Sequence, residues 1–376
     1  MIARAFLLLA LALAPSCAAL NPFGERGIPH SPADAEKRVA KAEAELSSGE
    51  TERALYDLSK ARKTSDLSTD QKNHIDLLLE RCAETRVGEL SAPGSDPDQL
   101  EELFDLNLPR QIAITAGVRA ARLMLDQGEP VDAYEMIQRV DKRYPPAGTH
   151  HERQLAGDVL FEAGMGLSKS DFSFLGMFSD KDDAKAILEY LVVNYPQERR
   201  CDQAYRRLAA LYEEDRLWST AIERYQDLVT YHIDSPLAPE SEWRIPHLRL
   251  VALRRPDYDR RELLRALGEL EAWSSVHAGN EFEARAEADR RDCLKRLAQS
   301  DLIVAHFYTT VARAESAPGW QGALIHAERA LELAKQSGDA PTISAAKAAI
   351  ALVPPTPAAI QAPAIDASRA KAGGER

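Results

Sequence analysis

A recurring residue spacing constrains this chain more than any other feature of it. Ala54, Leu58 and Ala61 stand four and then three residues apart. The same step recurs at Ala133, Ile137 and Val140, at Ala184, Leu188 and Leu191, and at Ala221, Tyr225 and Leu228. Pro145, Pro196 and Pro236 follow the last three sets, and Gly49 and Gly128 each stand five residues ahead of the leading Ala. Steps of three and four place side chains on one helical face. A Gly just before such a face is suited to end the preceding helix in a left-handed turn. The small leading residue lets two helices approach closely. Several such units in register predict a stack of helix pairs, because one pair alone cannot bury its apolar side.

The most complete copy runs from Cys201 to Pro236. Tyr205, Leu208, Ala209 and Tyr212 mark its first helix, and Ala221, Tyr225 and Leu228 its second. This pattern resembles the tetratricopeptide repeat, a two-helix unit of about 34 residues. Ala, Leu, Glu and Arg dominate the middle of the chain, and alternating runs of β-branched residues are absent, which favours helix. The expectation is an all-α, tetratricopeptide-like α-solenoid of about five helix-pair repeats. A flexible N-terminal tether precedes it, and a disordered tail over 354–376, rich in Ala and Pro, follows.

The last third is less regular. Trp243–Leu253 and Arg261–Trp273 read as a helix pair, with Pro246 expected to bend or break the first member. Asn280–Ala314 lacks Gly and Pro and reads as one long helix. Phe282, Ala286, Cys293, Leu297, Val304, Phe307 and Val311 form its apolar stripe, with His306 packed beside Phe307 and Tyr308. Glu315–Trp320 reads as a local insertion, and Gln321–Gln336 as a closing helix capped by Gly338.

The N-terminus carries an address. Arg4 precedes an apolar run from Ala5 to Ala14, shorter than the roughly 20 residues needed to span a bilayer. Residues 1–16 therefore read as a signal peptide. Leu13-Ala14-Pro15-Ser16-Cys17 resembles a bacterial lipobox, which implies lipidation of Cys17, with fatty acyl chains such as palmitate holding the chain in a membrane. Residues 17–32 then form a Pro- and Gly-containing tether. Cleavage after Ala18 or Ala19 would instead leave a soluble periplasmic protein. Ala18, which is not Asp, is compatible with sorting to the outer membrane, facing the periplasm.

A net charge of -12 argues against nucleic acid as partner, since phosphate binding needs a basic face. Cys82, Cys201 and Cys293 lack zinc spacing and read as small buried hydrophobes, a Cys201–Cys293 bridge being the other reading. Phosphate loops, HExxH pairs and nucleophile elbows are absent from the sequence. His150-His151 lacks accompanying carboxylates for a metal, and Asp180, Asp182 and Asp183 suit a helix N-terminus. The expectation is a non-enzymatic chain with no cofactor and no metal, whose oligomeric state the sequence leaves open.

The stretch from about Asp183 to Leu333 resembles the BamD/ComL-like family of tetratricopeptide lipoproteins, components of outer-membrane β-barrel assembly. The likeness is carried by LEYLVVNYP, by Cys201-Asp202-Gln203-Ala204-Tyr205-Arg206-Arg207-Leu208, and by Arg296-Leu297-Ala298 followed by Val304-Ala305-His306-Phe307-Tyr308. It implies a family-like region over 150–338 and protein partners: a barrel-assembly subunit or unfolded outer-membrane proteins. Residues 33–144 form an additional N-terminal helical region. A generic adaptor of a wall or secretion complex is the alternative. Two surfaces are expected to meet partners. One is the aromatic insertion at Ser170–Phe178, through Phe172, Phe174, Leu175 and Phe178, unless it folds back as a local core. The other is the inner groove of first helices, where Arg206, Arg207, Tyr212 and Arg249 are placed.

Overall fold

The chain is seen in a computed structural model that describes residues 27–354 except 107, 146–150, 171, 175–177, 254, 256–258, 316 and 317. The signal peptide, Cys17, most of the tether, Leu175, His150 and residues 355–376 of the tail lie outside the described residues. Two compact units divide between Leu211 and Tyr212.

The first unit holds α1 (Pro32–Ser47), α2 (Thr51–Arg62), α3 (Thr69–Leu90), α4 (Pro97–Asp105), α5 (Arg110–Asp126), α6 (Pro130–Arg143), α7 (His151–Leu167) and α8 (Asp180–Asn194). A short antiparallel pair, β1 (Ser173–Phe174) and β2 (Phe178–Ser179), stands between α7 and α8. The helix α9 (Cys201–Glu214) begins in this unit. The odd-numbered helices pack in succession, α1 on α3, α3 on α5 and α5 on α7. The even helices α2, α4 and α6 pack on both neighbours in sequence. That is the contact pattern of stacked helix pairs.

Local chemistry explains the boundaries. The Ser31 hydroxyl accepts from the Asp34 amide at the start of α1, and Ser68 with Gln71 closes a capping box on α3. Gly49 and Gly128 take φ of +82° and +84°, so the turns between α1 and α2 and between α5 and α6 are left-handed as the spacing predicts. Ala54, Leu58 and Ala61, Ala133, Ile137 and Val140, and Ala184, Leu188 and Leu191 are all buried.

The second unit contains α10 (Trp218–Tyr231), α11 (Ala238–Ala252), α12 (Arg260–Val276), α13 (Glu283–Glu315), α14 (Pro318–Ser337) and α15 (Ala340–Ala351). Consecutive helices pack on one another, and α11 also meets α13. Trp243, Leu250, Leu263, Ala266, Leu270, Trp273, Cys293 and Leu297 share one core.

Several expectations change here. The helix α11 runs unbroken through Pro246. The lost amide bond is offset by burial of Trp243, Leu248 and Leu250 and of the proline itself. In the Glu315–Trp320 segment, helix covers all the described residues: α13 extends through Glu315 and α14 starts at Pro318, a favoured first-turn residue. The helix over 318–337 does not close the chain, since α15 follows it. Asp339 caps α15 by accepting from the Thr342 amide. Along α13 the stripe holds at Ala286, Cys293 and Leu297, then rotates to Asp301, Ala305, Thr309 and Ala312. Phe307 is 62% exposed and His306 is also exposed.

The three downstream cysteines are separate, free and buried. Their thiols meet the carbonyls of Thr51, Tyr195 and Leu263 at 3.1, 3.3 and 3.0 Å. The Cys201–Cys293 bridge is therefore not formed. Burial pushes all three thiols up to about 12, which leaves almost no thiolate near neutral pH. In a Cys17→Ala chain, a disulfide reagent at about pH 8 is expected to label these thiols more than ~100-fold slower than in denaturant. Rapid labelling of any of the three in the folded chain would contradict this burial.

Candidate functional site

An open groove lies between the adjacent first helices α1 and α3 of the first unit. Its volume is about 380 Å³. Buried Ala35, Val39, Leu67 and Ile75 form an apolar floor, and exposed Ala40 continues it. Glu36, Glu43 and Asp70 line the same groove, and neither Lys nor Arg does. Helical periodicity puts Glu36, Ala40 and Glu43 on one side of α1. The capping box fixes the start of α3, and with it Asp70 and Gln71.

Two polar contacts hold the walls together. Gln71 Nε2 donates to Glu36 Oε1 at 2.7 Å, and His74 Nε2 lies 3.3 Å from Glu43 Oε1. The result is a short trough, greasy below and anionic along its edges. Chemically it offers burial to an apolar side chain and acceptors to a cation beside it. A second recess, about 220 Å³, lies among α2, α3 and α4. Arg86 spans it, reaching Glu52 and Gln99 at 3.2 Å each, so these three polar groups are engaged with one another.

The expected site residues are distributed differently. Phe172 is 46% exposed at the start of the β1–β2 insertion. Its carbonyl accepts from the Asp180 amide at 3.2 Å, and its own amide donates to Ser170 Oγ at 3.1 Å. Phe174 pairs with Phe178 across the two strands, while their side chains and Leu175 lie outside the described ones. Among the first-helix residues, Arg206 is exposed and Tyr212 half-buried. Arg207 is half-buried and directed at the end of α7, its Nε donating to Ser168 Oγ at 3.0 Å. Arg249 joins α11 to α12, donating to Glu269 at 2.9 Å and Glu262 at 3.2 Å. Arg206 and Arg207 fall in the first unit, and Tyr212 and Arg249 in the second.

The groove residues Glu36, Val39, Glu43, Asp70 and Ile75 do not stand out in the sequence. A signal exists: Glu36, Val39 and Glu43 step by three and four along α1, mixing acid with apolar on one face. Nothing in the sequence pairs that face with Asp70 and Ile75, because the pairing is made by helix stacking.

Buried polar clusters elsewhere tie helices together. Asp141 on α6 is met by Arg153 of α7 and by the hydroxyls of Tyr190 and Tyr195, at 2.7 Å for Tyr190 and 2.9 Å for Tyr195. Burial and the neighbouring Asp141 carboxylate hold both tyrosines far above the usual range. In the second unit Asp301, 1% exposed, joins Arg260 of α12 at 2.9 Å to His326 Nδ1 of α14 at 2.8 Å, and Tyr308 stacks on that imidazole. Asp289 likewise accepts from Trp243 Nε1 at 2.8 Å and lies 3.0 Å from His247 Nδ1. Each carboxylate is satisfied by side chains from other helices. No group of three or more metal-binding side chains exists among the described residues.

No family model matches the sequence, and no curated protein matches it. Among solved structures, the chain is similar to the TPR domain of P58(IPK) at 15% identity, with a TM-score of 0.22, covering 85% of this chain and 98% of that one. The helix pairs described above themselves define the repeat architecture.

Proposed function

We propose that this protein is a non-enzymatic scaffold of the cell envelope, tethered through a lipidated Cys17, that binds other proteins along its helical repeats. The observation that carries this reading is the α1–α3 groove, an open apolar trough between stacked first helices. Stacked repeats expose such surfaces by construction, because each helix pair buries only its contacts with its neighbours. The narrower reading is a BamD-like component of outer-membrane β-barrel assembly, supported by the Arg296–Tyr308 and Cys201–Leu208 motifs. Its partners would be a barrel-assembly subunit or unfolded outer-membrane proteins. The groove itself lies in residues 33–144, outside the family-like stretch. That placement favours the second reading, an adaptor of a wall or secretion complex with its own N-terminal binding module.

Among the described residues no helix is long and apolar enough to cross a membrane, so membrane attachment in this reading depends on the lipid. Two or more acyl chains give stable anchoring, at about 0.8 kcal/mol per buried methylene. Cys17→Ala is expected to move the chain from the membrane to the soluble envelope fraction. Retention of the variant on membranes would remove the lipid from the proposal. Partner identity is tested by crosslinking the full chain in membranes. Recovery of a large β-barrel protein supports the assembly reading, and wall-synthesis or secretion components support the adaptor. Failure to recover any specific protein partner would overturn both.

A further inference from the structure

We infer that the α1–α3 groove binds an extended protein segment in which Lys or Arg residues flank an apolar side chain. This rests on the scaffold reading above and specifies what one part of it recognises. The floor is apolar, with Val39 7%, Leu67 6% and Ile75 2% exposed. A side chain entering from solvent gains by displacing water from that surface. The rim selects among apolar segments by charge. Glu36, Glu43 and Asp70 all face the same trough, and no Lys or Arg lines it.

The internal contacts leave this anionic character in place. Gln71 is neutral and takes up one oxygen of Glu36. His74 is the sole basic lining residue, more than half exposed and 3.3 Å from Glu43. On α1, Lys37 pairs with Asp34 at 3.4 Å, and Lys41 with Asp57 at 2.7 Å. A cationic segment therefore meets carboxylates that no lining Lys or Arg neutralises, whereas an acidic segment or an anionic lipid headgroup meets repulsion. Charge complementarity of this kind sets partner choice more strongly than raw affinity.

The test uses the full chain and a fluorescent peptide with two leucines, each flanked by lysines, followed by anisotropy. The groove predicts saturable binding that weakens several-fold as salt rises from about 0.05 to about 0.5 M, where the screening length falls to a few ångströms. Glu36→Gln combined with Glu43→Gln is expected to weaken it about tenfold. Ala40→Arg, an exposed change that suits a helix, places bulk and positive charge in the trough and is expected to abolish binding. Circular dichroism and melting show whether each variant stays folded.

Versions of the peptide with lysine replaced by glutamate, or leucine by serine, are expected not to bind. Equal binding of the acidic version, or unchanged affinity in both folded variants, overturns the inference. If membrane crosslinking still captures the partner equally with the Glu36/Glu43 variant, the scaffold reading stands and the groove's role is rejected. If the unaltered chain captures no protein at all, the scaffold reading itself fails.

Discussion

Replacing Asp141 with Ala is expected to destabilise the first unit by about 3–5 kcal/mol, the usual cost of removing one partner from a buried ion pair. Asp141 and Arg153 have side chains only 7% and 11% exposed. The carboxylate is met by one guanidinium and two phenols: Tyr190 Oη donates at 2.7 Å, and Tyr195 Oη lies 3.0 and 2.9 Å from the two oxygens. The Arg153 guanidinium also lies 4.3 Å from the Tyr195 ring centroid. Removing the carboxylate strands this cation, whose Nη2 is already buried without a hydrogen-bond partner. The same deletion takes the acceptor from both tyrosines.

Denaturant unfolding measures the loss. Hydrogen exchange should show it concentrated in α6, α7 and α8. Tyr195→Phe should cost only about 1 kcal/mol, since it removes one hydrogen bond and leaves the charges paired. Asp141→Leu with Arg153→Met should cost less than Asp141→Ala alone, because no charge is left stranded. A double variant as unstable as the single one would show that Asp141 acts through packing instead.

The second large effect is expected at Gly117, in the middle of α5. A β-carbon there would lie 2.4 Å from Val140 Cγ2, 3.0 Å from the Phe104 ring and 3.1 Å from Met136. Ala normally stabilises a helix interior by about 1 kcal/mol relative to Gly. At this position α4 and α6 approach too closely for that gain to prevail. Gly117→Ala is expected to lose about 1–2 kcal/mol net, since overpacking costs typically 1–3. Gly117→Leu is expected to prevent α4, α5 and α6 from packing as a unit. Gly88, exposed on α3, provides the comparison, because a β-carbon there would meet no atom within 4 Å. Gly88→Ala should raise the melting temperature, and equal loss at both positions would refute the close-approach argument.

The repeat was readable where backbone conformation and burial depend on local spacing. Gly49 and Gly128 stand five residues before their leading alanines and take the left-handed turn that the spacing predicts. Arg216 stands in the same relation to Ala221 and takes φ +59°. A left-handed residue is thus required in that turn even where the sequence does not signal it with Gly. The corresponding position before Ala184 is Ser179, with an extended φ of -138°. There the β1–β2 insertion replaces the tight turn, which is why the aromatic stretch broke the pattern in the sequence.

Legibility failed where the outcome depends on which helix lies opposite. The α13 stripe was legible through Leu297, where α12 and α14 both pack. Beyond it the buried face shifts, so that Phe307 turns to solvent while Asp301 is buried between Arg260 and His326. Pro246 illustrates the same limit: local chemistry argues for a break, and tertiary burial carries α11 through it.

By itself, then, the sequence determined the all-helical class, the paired repeats and several of their turns, because periodicity, caps and left-handed turns act within a few residues. Only the tertiary structure decided that Glu36 and Glu43 share a trough with Asp70, that Asp141 collects two phenols and a guanidinium, and that Gly117 admits no methyl group. Those outcomes depend on side chains brought together from different helices, and no local spacing encodes the distance between two helices.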